Sequence, residues 1–293
     1  MSSSVHVRPS RTAKGTAILR AMAFLEKKVP RVHTDELARF FLDPWTTWLL
    51  KFGYFRHQFK TRILPPGSYE YVMARTIHMD TLFVNALEHR WPQIVILGAG
   101  YDSRSYRFKQ KIDKTRIFEV DAYGSQQHKR LCMQKARLEW PSQTTFVCVD
   151  LAHQDLAPKL DAAGYDPDLQ TLFLLEGLVM YLPESQVKYL LSFMQQNRAA
   201  GTTIAFDYIF RSVVDGTSTA YGAREQYEIV RNVGEPMQFG LEYEEMAEWL
   251  ASEDLKIESH YTPDDFENTY LKDSQGDLVG KMFRCTGNVV IRN

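Results

Sequence analysis

Between Gln93 and Phe210 the chain repeats one alternation, and that repetition limits its fold more than any other feature. Short apolar runs, QIVILGAG, RIFEVDAYG, TTFVCVDL, TLFLLEG and TTIAFDYIF, are interleaved with stretches of helical pattern at 125–139, at 156–163 and, after Pro183, at 184–198. Strands buried on both faces read as near-continuous apolar runs, and strands alternating with helices build parallel sheets. Two later runs, LKIESHY and TGNVVIRN, suit a closing antiparallel pair. The expectation is an α/β fold: a doubly wound, mostly parallel, Rossmann-like sheet of seven strands.

Upstream the pattern is helical. ILRAMAFLEK, DELARFFLDPWTTWLLKF and the long SYEYVMARTIHMDTLFVNALEHR space apolar residues by three and four until Trp91-Pro92 breaks the run. Residues 1–90 are therefore expected to form an N-terminal helical cap and residues 91–293 the sheet domain, with a polar lid insertion near 211–239. LEYEEMAEWLASEDL reads as an amphipathic helix with its acids on one face. Cap and insertion carry Trp45, Trp48, Tyr54, Phe55, Tyr69, Tyr221 and Tyr227. An aromatic pocket lining is expected from them, which suits a small apolar acceptor.

Composition narrows the class. A chain of 293 residues with 44% hydrophobic content can fill an enzyme-sized core. Its 35 basic and 36 acidic side chains create no field that would draw nucleic acid. Cys132, Cys148 and Cys285 match no zinc or redox spacing and read as free, structural thiols of a reducing compartment. MSSSVHVRPS lacks a signal-peptide core, and the longest apolar run, TLFLLEGLVMYL, is broken by Glu176 far short of the roughly 20 residues that span a bilayer. A cytoplasmic protein with no membrane partner is expected.

The turn Gly98-Ala99-Gly100 follows the first strand, where an open parallel sheet receives its ligand. Ser103 stands where a dinucleotide fingerprint wants a third glycine or alanine. The second strand ends in FEVD, so Glu119 and Asp121 share a strand face, and Asp121, nearer the end, is the expected ribose acceptor. Asp150 and Glu176 close the next two strands. Acids at three successive strand ends suit ribose hydroxyls, an adenine amino group and a further amine, all present in S-adenosylmethionine. They would repel the pyrophosphate of NAD.

DELARFFLDP, the arginine of VMARTIHMD, GAGYDSR, FEVD, VDL and LLEGLVMYLP, in order across residues 35–183, resemble the leucine carboxyl methyltransferase family, in its bacterial-type S-adenosylmethionine-dependent O-methyltransferase branch. The resemblance implies a class I methyltransferase fold. It also implies that Gly98, Ala99 and Gly100 lie against the methionine part of the cofactor and that Asp121 holds the ribose. Asp150 with the Leu151 backbone would read the adenine, and Glu176 would face the amino group. Arg75 would reach the carboxylate with a fork of donors, and Lys14 is the nearest match to a lysine the family uses. The family commonly has threonine at position 103 and an aliphatic residue at 101, where this chain has Ser103 and Tyr101. Arg104 and Arg107 are expected to pair with Asp102 or an acid of the cap, with ligand contact by Arg104 left open.

Methyl transfer from a sulfonium is an in-line displacement, governed mainly by alignment. A carboxylate acceptor needs no base; a phenol or enol would use one, and the candidates are His78, His153 and Tyr181. No histidine pair has metal-ligand spacing, so no metal is expected. The implied activity is O-methylation of a carboxyl or hydroxyl group on a small, secondary-metabolite or polyketide-like acceptor. The alternatives are a protein C-terminal carboxyl methyltransferase, and a nicotinamide-dependent dehydrogenase or non-catalytic nucleotide-binding protein.

Overall fold

The computed structural model describes residues 10–26, 34–139, 141–273 and 275–292. Within them seven strands form one sheet: β1 (Gln93–Leu97), β2 (Arg116–Asp121), β3 (Thr144–Cys148), β4 (Thr171–Leu175), β5 (Thr203–Ile209), β6 (Ile257–Tyr261) and β7 (Thr286–Arg292). Their order is β3-β2-β1-β4-β5-β7-β6. The first five are parallel, and β7 inserts antiparallel between β5 and β6. The doubly wound, mostly parallel seven-stranded sheet expected from the alternation is therefore present.

Alternate residues of each strand feed two cores, as the pleat requires. Val95, Leu97, Phe173, Leu175 and Phe206 pack on one face against α7 (Ala157–Ala162), α8 (Glu184–Gln195) and α11 (Tyr243–Ser252). Ile94, Ile96, Ile117, Leu172 and Leu174 pack on the other against Met79, Phe83, Ala86 and Leu87 of α4 (Ser68–Glu88). A long helix from the helical preface thus covers the sheet directly. A third core joins α1 (Arg11–Glu26) to the first half of α4 and to α12 (Pro263–Tyr270).

The helical pattern of DELARFFLDPWTTWLLKF breaks into a 3-10 turn at Ala38–Phe41 and α2 (Pro44–Leu49), because Asp43 caps the second helix through the Thr46 N–H and Pro44 starts it. α3 (Gly53–Gln58) and a π turn at Phe59–Ile63 follow. α5 (Arg104–Arg107) lies beyond the glycine turn and α6 (Tyr123–Lys135) after β2. The 211–239 stretch contains α9 (Arg211–Val214) and α10 (Ala223–Val233). Among the described residues no helix is long and apolar enough to cross a membrane, and all three cysteines are free.

Candidate functional site

Strand order reverses between β1 and β4, the place where open α/β sheets hold their ligands. After β1 the backbone turns through Gly98 at φ +65° and Gly100 at φ +43°. A β-carbon on Gly98 would stand 2.8 Å from Leu178 Cδ1 in the turn after β4, a contact the leucine side chain can relieve by moving, so it is the left-handed conformation that demands glycine. Asp121 closes β2 against this turn: Oδ2 accepts the Gly100 N–H, and Oδ1 accepts the Ala122 N–H at 2.6 Å. Burial pushes its carboxyl pKa up, opposed by those two N–H groups.

Glu119, on the same strand face, has a different fate. It accepts from Ser105 Oγ at 2.6 Å and pairs with the buried Lys129 ammonium, so it is neutralised inside the fold while Asp121 remains half-buried at the turn.

Arg75 is buried in α4 and reaches two strand ends. Nε stands 3.2 Å from Glu176 Oε1, and Nη1 stands 2.9 Å from Asp207 Oδ2 in β5. Asp207 also accepts the Tyr71 hydroxyl and, at 2.6 Å, the Gly177 N–H. The second oxygen of Glu176 accepts from Arg104 Nη2 at 2.6 Å. Arg104 further donates to Asp80 Oδ1 at 2.8 Å and pairs with Asp102, while Asp80 is shared with Arg107 at 2.6 Å. Arg20 pairs with Asp35 at 3.2 Å and donates to the Tyr101 carbonyl at 2.9 Å. Arg104 therefore braces the turn, with Asp102 and a preface acid as its partners.

These groups form one buried network, in which Arg20, Arg75, Arg104 and Arg107 face Asp35, Asp80, Asp102, Glu176 and Asp207. Burial alone would raise the pKa of Glu176, but the guanidinium groups of Arg104, Arg75 and Arg20 outweigh it and hold the carboxyl at about 2. Desolvation would likewise disfavour the charge on Arg104, and Asp102, Glu176 and Asp80 more than compensate.

The other expected site residues are less central. Asp150 follows β3 and is engaged by its own loop, accepting from Ala152 N at 3.1 Å and meeting His153 Nδ1 at 2.8 Å; Leu151 is buried beside it. Lys14 is exposed and pairs with Asp43 at 3.2 Å, away from the strand-end acids. Its helix is nevertheless close, since Ala13 Cβ would lie 3.4 Å from a β-carbon at Gly100. Tyr101 stacks on Phe41 with centroids 4.8 Å apart and bonds His128 at 2.7 Å.

The base candidates separate clearly. The His153 side chain is 71% exposed. His78 is buried among Tyr261, Phe266 and Tyr270, with Nδ1 2.7 Å from the Tyr270 hydroxyl; burial lowers its pKa to about 4. Tyr181 is half-buried near Thr12, and burial raises its pKa to about 12. Among the described residues no group of three histidine, cysteine or acidic side chains is placed to hold a metal.

Sequence reasoning missed Asp207, Asp80 and Glu235. The first two are lone acids inside apolar segments, AFDYIF and IHMDTLF, a pattern that signals a buried, paired charge. Glu235, after α10, accepts from Ser10 Oγ at 3.0 Å, Arg11 N at 2.9 Å and Thr12 N at 3.3 Å. It satisfies otherwise orphaned donors at the start of α1 from the far side of the chain. The expected aromatic lining is present only in part: Trp45, Trp48, Tyr54 and Phe55 are exposed because α2 and α3 turn them to solvent, Tyr221 is exposed in the turn before α10, and Tyr69 is buried under the Lys60 ammonium, whereas Tyr227 is half-buried and lines a hollow with Val214, Val230 and Met237.

A family model described as leucine carboxyl methyltransferase matches residues 13–195. A Streptomyces avermitilis protein, provisionally named an S-adenosyl-L-methionine-dependent methyltransferase, is 30% identical over 191 residues, 64% of this chain and 63% of its own length. Bacillus subtilis YktD, named in the same provisional terms, is 27% identical over 206 residues, 70% of this chain and 67% of its own. The chain thus spans about two thirds of the length of these relatives. A crystal structure of a provisionally identified methyltransferase from Thermobifida fusca superposes with a TM-score of 0.57 at 15% identity, covering 83% of this chain and 89% of that one. At that identity the likeness is one of fold.

Proposed function

The chain belongs to the leucine carboxyl methyltransferase family, and from that premise we propose that it is an S-adenosylmethionine-dependent O-methyltransferase acting on a small acceptor. The observation that carries the reading is the placing of Asp121 and Glu176 at the ends of β2 and β4, the strands that flank β1 and its glycine turn. Asp121, whose partners there are backbone N–H groups and not cations, suits ribose hydroxyls and disfavours a pyrophosphate. When bound, the cofactor supplies an electrophilic methyl group.

In this reading Gly98, Ala99 and Gly100 leave room for close backbone approach, and Asp121 accepts the ribose hydroxyls. Asp150 and the Leu151 backbone address the adenine edge. Glu176 faces the amino group, and Arg75 offers the carboxylate the part of its fork not engaged by Glu176 and Asp207. Lys14 contributes from α1 only if its pair with Asp43 opens. The titration of His78 and Tyr181, two of the three base candidates, favours a carboxyl over a hydroxyl acceptor. A histidine held near 4 and a tyrosine held near 12 are both far from the neutral range in which a general base works best.

Incubation with cofactor carrying a labelled methyl group and a panel of aromatic acids and phenols tests the proposal. Alkali-labile product from the acids is expected; alkali-stable product would indicate an ether, and label appearing only in lysate protein would move the acceptor to a polypeptide C-terminus. No transfer to any acceptor by protein that binds the cofactor would count against catalysis.

A further inference from the structure

From Pro44 to Ile63 the chain runs through α2, α3 and a π turn, and none of these three elements has a buried residue. A helix on a globular protein normally turns an apolar stripe to the core and polar residues to water. Here the large apolar side chains face outward: Trp45 is 66% exposed, Tyr54 68%, Ile63 56%, Trp48 and Phe52 46% each, and Phe55 41%. The aromatic rings are contiguous. Trp45 stacks on Trp48 at 5.0 Å, Trp48 meets Phe52 at 5.0 Å, and Phe52 meets Phe55 at 6.2 Å. Five large aromatic side chains in a continuous exposed patch, Tyr54 joining it through Phe55 at 5.5 Å, mark an interaction surface rather than scattered surface residues.

Charge identifies the partner. Between Pro44 and Tyr69 the sequence has Lys51, Arg56, Lys60 and Arg62 and no aspartate or glutamate. Arg56 and Lys60 turn inward to Glu26, at 3.8 Å and 3.0 Å. Lys51 and Arg62 are exposed beside the aromatic rings, with no ion pair among the described residues. Tryptophan and tyrosine with flanking lysine and arginine is the composition of segments that lie in a bilayer interface, where ring bodies enter the headgroup layer and cations meet anionic lipid. A second copy of the chain fits poorly. A two-fold contact through this patch would bring together two copies of one surface that carries cations without ion pairs. A hollow lined by Phe24, Leu25 and Leu50, with Glu36, Arg39 and Lys51 as its charged groups, adjoins α2 through Thr47.

We propose that the α2–α3 surface docks the protein reversibly on an anionic lipid bilayer. The contact is peripheral and needs no spanning helix, of which there is none among the described residues. Two signals, an apolar patch and cations, act together, as weak interfacial binding requires.

The test uses the full chain with vesicles of phosphatidylcholine alone and of phosphatidylcholine mixed with phosphatidylserine, read by co-sedimentation and tryptophan emission. Co-sedimentation with the mixed vesicles, a blue-shifted emission and release by salt are expected. The double variant Trp45→Ala with Trp48→Ala should lose binding by about tenfold or more, and Lys51→Glu with Arg62→Glu should lose the preference for phosphatidylserine. Unchanged thermal midpoints would show that both variants fold, as expected for exposed positions. Absence of binding to either vesicle, equal binding to both, or variants that bind like the parent would overturn the proposal. So would a concentration-dependent dimer dissolved by the tryptophan substitutions, since the patch would then be an interface between copies.

Discussion

Arg104 Nη2 stands 2.6 Å from Glu176 Oε2, joining the turn after β1 to the turn after β4 across the point where strand order reverses. The same guanidinium holds Asp80 of α4, so one side chain ties the covering helix to two strand ends. Arg104→Met should destabilise the fold by about 3 to 5 kcal/mol, because three buried carboxylates lose a partner. Arg104→Lys should recover only part of this, since a point charge cannot serve three directions at once. Urea denaturation of the two variants checks both expectations.

Arg75 is a structural residue as well as a candidate for cofactor contact. Arg75→Ala leaves Asp207 and one oxygen of Glu176 unopposed and should lower stability by about 3 to 5 kcal/mol. Denaturation measured beside a binding titration separates the two roles: a stable variant with weakened binding would show that the residue acts on the ligand alone.

Stability should fall in two steps on acidification. His78 stays neutral down to about pH 4 in the fold, whereas its ordinary pKa is 6.5. The unfolded chain therefore takes up this proton first, and stability drops by up to about 3 kcal/mol as pH falls from 6.5 to 4. His260, half-buried and stacked on Tyr243, is also lowered to about 4 by burial and adds to the same window. Glu176 then contributes stability that is fully present above 4.5 and is lost as pH falls towards 2. His78→Phe should shrink the first step to the part that His260 supplies and leave the second, as read by denaturation midpoints across pH.

Glu235→Ala removes the acceptor for the first N–H groups of α1 and should cost about 1 kcal/mol, the usual worth of a helix cap. Faster amide exchange confined to the first turns of α1 is the expected readout. Because Ala13 abuts Gly100, the same variant should also expose the glycine turn to exchange.

The sheet was legible because its strands are buried on both faces, which writes continuous apolar runs into the sequence. Gly98, Gly100 and Asp121 were legible for a similar reason: a sharp turn and a strand-end acid have no substitute residue types. α12 was missed although Thr262, Pro263 and Asp265 form a capping box with proline at the first helical position. The pairing of Arg104 and Arg107 with Asp102 or an acid of the cap was legible, but the rest of the ion network was hidden because its partners are separated in sequence, as Arg75 and Asp207 are. Only the solitary acid within each apolar segment hinted at it. The outward aromatic face could not be read at all, since a three-and-four spacing does not say which side of a short helix meets the core.

The strand ends are expected to bind an amino-acid-bearing nucleoside through Asp121. Calorimetric titration of S-adenosylhomocysteine into the protein and into Asp121→Ala, with NADH as the comparison, tests it most directly. Binding of the homocysteine nucleoside, weakened by about 1 to 3 kcal/mol in the variant and with no heat from NADH, is the predicted result. NADH binding with no response to S-adenosylhomocysteine would contradict it.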